Sequence, residues 1–77
     1  MILVNDASYV SDYKISVIFN NNTNKIIDLY DTIKSDHREI FHELMDKEKF
    51  KDFTIAMDTV VWKNGLDIAP EFLYGLA

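Results

Sequence analysis

Acid–base chemistry needs carboxylates held as pairs, and this chain offers two: Asp28 with Asp31, and Asp67 with Glu71. Such pairs act only in a cleft that shifts their pKa values, and a domain this small rarely forms one. A metal needs histidines three or four apart on a helix face. His37 and His42 are five apart, about 140° around a helix at 3.6 residues per turn. No metal and no cofactor are therefore expected. Nucleophilic catalysis has little to work with, because cysteine is absent and neither Ser8 nor Ser11 stands in a G-x-S-x-G elbow. Gly65 and Gly75 are the only glycines, too few for a loop that cradles phosphate. The expectation is a protein without catalytic activity.

The densest constellation is the closing stretch VVWKNGLDIAPEFLYGL, Val60 to Leu76. Its candidate partner-binding residues are Trp62, Asn64, Asp67, Glu71 and Tyr74. Each also has a structural reading. Asn64-Gly65 has the chemistry of a turn that requires positive φ. Asp67 can cap a following helix by accepting a backbone N–H two residues on. Pro70 is tolerated in a first helical turn, and Glu71 suits the positive end of the helix dipole. Phe72, Leu73 and Leu76 offer an apolar face, and Gly75 ends the helix. Trp62 and Tyr74 are then plain core.

The elements that must position these residues follow from periodicity. Tyr13, Ile15, Val17 and Phe19 alternate with Lys14, Ser16 and Asn20, which predicts a half-buried strand with Ile18 as its exception. Ile2 to Val10 is its partner, with a bulge near Asn5 and Asp6. The asparagine run Asn20 to Asn24 reads as a turn and Lys25 to Tyr30 as the returning strand. Asp36 and Glu39 have the spacing of a capping box that opens a helix through Met45, with Ile40, Phe41 and Leu44 as its stripe. Asp46 caps a short turn that carries Phe50 inward. Phe53, Ile55 and Met57 share a strand face, Asp58-Thr59 is a turn, and Val60 to Trp62 returns. The result is an α+β fold: a small two-layer domain with a mostly antiparallel sheet in the order β-β-β-α-β-β-α and helices on one face.

Seventy-seven residues allow one domain, residues 1–77, and such a chain buries only about 60% of its unfolded surface. An aromatic content of 13% suits a core that has no disulfide to support it. A net charge of −5 repels phosphate backbones, so direct nucleic-acid binding is not expected. The first ten residues have neither the cationic lead of a secretory signal nor the apolar length of a membrane span. A cytoplasmic protein with no membrane partner is expected. The edge strand at Ile2 to Val10 offers a route to a homodimer.

The closing stretch resembles the end of a bacterial and phage family, domain of unknown function 2442. Its members show Trp-x-Asn-Gly-x-Asp, then Pro-Glu and Leu-Tyr, here Trp62, Asn64, Gly65, Asp67, Pro70, Glu71, Leu73 and Tyr74. YKISVIFNNNTNKIIDLYDTI resembles the family's strand–turn–strand entry, and FHELMDKEKFKDFTIAMDTVVW its helical middle and last hairpin. The resemblance implies a small α+β domain but no activity. Some members add a helix-turn-helix, which is not expected here. Others resemble small proteins encoded beside another short family, an arrangement that suggests toxin–antitoxin pairs, with this acidic chain as the neutralising member. Two departures stand out: the asparagine run replaces the usual Asn-Gly hairpin, and Ala69 stands where many members have cysteine. The expected function is a non-catalytic protein-binding module, antitoxin-like, with a basic protein partner. The alternatives are an acidic phage-type inhibitor of a host nucleic-acid enzyme, or a small enzyme subunit using Asp67 and Glu71.

Overall fold

The computed structural model describes residues 1–76. Strands β1 (Val4–Ser11), β2 (Lys14–Phe19) and β3 (Asn24–Asp28) form an antiparallel meander in the order β1-β2-β3. Register follows the alternation: Ile15 lies between Tyr9 and Ile27, and Val17 between Ala7 and Lys25. Ile15, Val17 and Phe19 are fully buried, while Ile18 faces water, as a period of two demands. The β1 register shifts between Val4 and Asp6, where the bulge was expected, and again between Tyr9 and Ser11.

The asparagine run works as a clamp as well as a turn. Asn22 takes the left-handed conformation (φ 67°), which Asn tolerates better than most residues. The Asn21 carboxamide oxygen accepts from the Thr23 N–H at 3.0 Å. Asn20 reaches the N-terminus, donating to the Met1 carbonyl at 2.9 Å and accepting from the Leu3 N–H at 3.1 Å.

Helical segments then cross over: α1 (Tyr30–Ser35), α2 (Glu39–His42) running into a 3₁₀ turn at Glu43–Met45, and α3 (Lys47–Phe50). The α1 helix replaces the expected end of a strand, and its cause is tertiary. Leu29 and Ile33, one helical turn apart, are both fully buried. The capping box at Asp36 does not form. Asp36 instead accepts from the Arg38 N–H two residues on, and Arg38 precedes α2 without a side-chain cap. His37 consequently lies in the link before the helix, so the two histidines share no helix at all. Asp46 does cap α3 through the Glu48 N–H, and Phe50 is fully buried.

Strands β4 (Phe53–Ala56), β5 (Thr59–Trp62) and β6 (Asp67–Ile68) make a second antiparallel sheet in the order β4-β5-β6, followed by α4 (Pro70–Leu76). The fold is α+β with antiparallel pairing throughout, its strands divided between two sheets. The turn between β4 and β5 falls one residue earlier than Asp58-Thr59. Met57 and Asp58 carry the positive φ angles (53° and 64°) of a two-residue hairpin turn, so Met57 is exposed and Thr59 buried. Val4 donates its N–H to the Asp58 carbonyl at 2.9 Å, which joins the start of the β1 edge to this turn.

An aromatic cluster ties the two sheets together. The Phe50 ring lies 5.5 Å from Tyr13, 6.1 Å from Tyr9 and 5.9 Å from Trp62, centroid to centroid, and Phe53 packs edge-on against Trp62 at 5.9 Å. Such pairs add to the area they bury. The Tyr13 hydroxyl donates to the Met45 carbonyl at 2.6 Å, fixing the helical crossover to the first sheet. Among the described residues no helix is long and apolar enough to cross a membrane.

Candidate functional site

The structure separates the candidate residues of the closing stretch instead of gathering them. Trp62 is 2% exposed and donates its indole N–H to the Phe50 carbonyl at 2.8 Å. It is core, and its polar atom is already used.

Asn64 stands on the turn after β5, where Gly65 takes φ 93° as the Asn-Gly pair implied. Its carboxamide oxygen accepts from Leu66 N–H at 3.0 Å, while its NH₂ donates to the Ile40 carbonyl at 3.0 Å and to Glu43 Oε2 at 2.8 Å. Both ends of the amide are committed to holding this turn on α2. A depression of about 240 Å³ beside it is lined by Glu43, Lys49, Asp52 and Lys63 over Leu44 and Trp62.

Asp67 caps nothing. The Gly65 turn allows Trp62 N–H to reach the Leu66 carbonyl at 2.8 Å, and the ladder continues with Val61 opposite Asp67 and Val60 opposite Ile68. Leu66 and Ile68 point inward and Asp67 outward, so the residue sits on a strand where the spacing suggested a cap. The α4 helix instead begins at Pro70, with the Ala69 carbonyl accepting from Leu73 N–H. We expect Asp67→Ala to change the unfolding free energy, measured by urea unfolding, by no more than about 0.5 kcal/mol, the usual range for a surface site that holds no partner. A helix cap would lose about 1 kcal/mol or more in the same measurement.

Glu71 lies exposed in the first turn of α4. The apolar face of this helix is narrower than Phe72, Leu73 and Leu76 implied. Leu73 is fully buried, whereas Phe72 is 50% exposed and Leu76 39%. Gly75 lies within the helix and does not terminate it. Tyr74 packs edge-on against Phe19 at 5.0 Å, and the Lys25 ammonium sits 4.2 Å from its ring. Register puts Lys25 on the core side of β3, and its long stem carries the charge out along α4. Hydrogen bonds from Asn21 and then Thr23, together with Lys25, hold the Tyr74 phenol below its ordinary value. Tyr74 thus binds α4 to the β2–β3 turn.

What sequence reasoning missed is a trough between α1 and the β6–α4 corner. Two adjoining depressions share Thr32, Asp36 and Phe72; one extends to Asp31 and His37, the other to Phe41, Asp67 and Ile68. The half-exposed Phe72 stands between them. Arg38 is committed here: its guanidinium grips the Asp36 carboxylate with two hydrogen bonds, at 3.1 and 3.0 Å, and covers the Phe41 ring at 4.7 Å. The Arg38 side chain first, and its backbone N–H second, lower Asp36 from its ordinary 3.8 to about 2. Because the folded value is depressed, this contribution to stability is complete above about pH 4 and fades as pH falls toward 2. Asp36→Asn should abolish that part of the acid dependence, read as urea midpoints at a series of pH values. A parallel pH profile in the variant would contradict the pairing.

Among the described residues no group of three or more His, Cys, Asp or Glu side chains is placed to hold a metal ion. Asp28 accepts from the Tyr30 N–H at the entry to α1, and Asp31 lies one turn position further on, on the trough side. A family model described as protein of unknown function (DUF2442) matches residues 4–77. No curated protein and no solved structure matches the chain. With nearly its whole length covered, from the first strand to the Pro-Glu helix, the chain belongs to the domain of unknown function 2442 family.

Proposed function

We propose that this chain is a non-catalytic module that works by binding another protein. The observation that carries the reading is Phe72. It is half exposed on α4 although the fold packs Leu73 beside it completely. Single exposed apolar residues are ordinary. Phe72 differs because it borders a depression with Phe41 and Ile68, both nearly buried, at its base. Aromatic side chains in such settings are the usual anchors of protein interfaces. Asp67 and Glu71, the carboxylates an enzyme subunit would use, are both exposed, which favours binding over acid–base chemistry.

In its finer form the proposal makes the partner basic and this chain the neutralising, antitoxin-like member of a pair. The net charge of −5, which suits a basic partner, supports that form. The test is affinity capture from the native host with tagged chain, followed by reconstitution of the purified pair. A single protein held at fixed stoichiometry is expected. Its identity as a toxin, or as a host nucleic-acid enzyme, separates the antitoxin form from the inhibitor form. Failure of every captured protein to bind again when purified would overturn the module reading.

A further inference from the structure

We infer that the trough between α1 and α4 is a docking groove for a short basic segment of a partner protein, one that presents an apolar residue between cations. The inference rests on the binding-module reading and names its surface and its partner chemistry.

Three features of the groove carry it. Its base is apolar, built from Phe41 and Ile68, with Phe72 rising beside them to half exposure. Acids stand at both ends: Asp31 on the α1 side and Asp67 on β6, neither of which forms an ion pair or donates to or accepts a side-chain hydrogen bond among the described residues. Its guanidinium, that of Arg38, is already neutralised by Asp36 at 3.0 Å. An apolar side chain seated against Phe72 would bring flanking groups over Asp31 and Asp67, and only cations gain there. The same charges argue against other occupants. A second copy carries the same excess of acids, with a net charge of −5, and anionic lipid or nucleic acid meets repulsion at both ends. Burying Phe72 supplies the attraction, and the carboxylates select the partner and its direction.

The groove is tested by titrating ¹⁵N-labelled chain with a synthetic peptide of alternating arginine and leucine, read by amide shifts. Expected shifts centre on Thr32, Asp36, Asp67 and Phe72. Phe72→Ala should weaken binding about tenfold, as for an interface anchor. Asp31→Asn with Asp67→Asn should weaken it about threefold or more at low salt and leave little difference at high salt. All three positions are exposed, so the variants stay folded, and their unchanged amide spectra elsewhere verify it. A matched glutamate–leucine peptide should not bind.

Shifts centred elsewhere, equal binding of the acidic peptide, or indifference to Phe72→Ala would overturn the groove. So would shifts that change on dilution of the chain alone, which would place a second copy there. If a reconstituted partner binds the Phe72→Ala chain as tightly as the parent, the module reading stands and this groove falls.

Discussion

Trp62→Ala is expected to lower the unfolding free energy by about 3–5 kcal/mol, the range for truncating a buried aromatic. At about 0.05–0.15 kcal/mol per residue, a chain of 77 residues has roughly 4–12 kcal/mol in total. A parent at the lower end of that range would be largely unfolded by this loss at 25 °C, and one at the upper end would stay folded with a clearly lowered urea midpoint. The loss has two parts. Removing the indole opens a void beside Phe50 and Phe53, whose rings both pack on it at 5.9 Å. It also leaves the Phe50 carbonyl without the donor it has at 2.8 Å. Trp62→Phe separates the parts, because it restores most of the ring volume and none of the hydrogen bond. Its cost should fall below that of alanine and include about 1–3 kcal/mol for the unpaired acceptor. Urea unfolding followed by far-UV circular dichroism measures all three proteins, since the only tryptophan is the one being replaced. An alanine variant within 1 kcal/mol of the parent that had lost only its partner would return Trp62 to the interface.

Much of this frame was readable from residue types because one buried face imposes a period of two. Ile15, Val17 and Phe19 declare their strand before any neighbour is known, and Asn64-Gly65 declares its turn through φ alone. The failures occur where a distant contact decides between two local options. Asp67 lies three residues before Pro70, a spacing that suits a helix cap and an extended strand equally. The hydrogen bond from Trp62 N–H to the Leu66 carbonyl chooses the strand. The α1 helix is too short to nucleate itself and exists because Leu29 and Ile33 both fit beneath the crossover. Whether the strands form one sheet or two depends on what bridges them, and the Phe50 cluster is not visible in any window of sequence. The exposure of Phe72 was hidden for the same reason. Its helix has apolar residues on more than one side, and only docking on β3 through Leu73 and Tyr74 decides which of them faces water. A signal existed, however: Phe72, Leu73 and Leu76 with Tyr74 are more apolar surface than a seven-residue helix can bury on one face.

Asn64→Asp is expected to cost about 1–2 kcal/mol, although it changes one NH₂ to oxygen and leaves the side chain's shape intact. The carboxylate can still accept from Leu66 N–H, so the turn itself survives. What fails is the connection to the helical crossover. The amide donates to the Ile40 carbonyl and to Glu43 Oε2 at 2.8 Å, and an aspartate would set oxygen against oxygen at both places. Two lost hydrogen bonds at about 1 kcal/mol each set the upper figure, and solvent at this exposed site screens the added repulsion and sets the lower one. Glu43→Gln supplies the internal check. In the parent it should cost little, since Gln keeps an acceptor for Asn64. In the Asn64→Asp background it should recover part of the loss, because its amide can donate to the new carboxylate. A double-mutant cycle in urea unfolding measures that coupling, and a sum of independent effects would rule out the contact. A coupling of the expected sign gives Asn64-Gly65 a purely internal role, in which glycine makes the turn and asparagine fastens it to α2. On the proposed binding role, the contact surface would then lie on residues the fold does not use, and within this closing stretch Asp67, Glu71 and Phe72 are exposed and available for it.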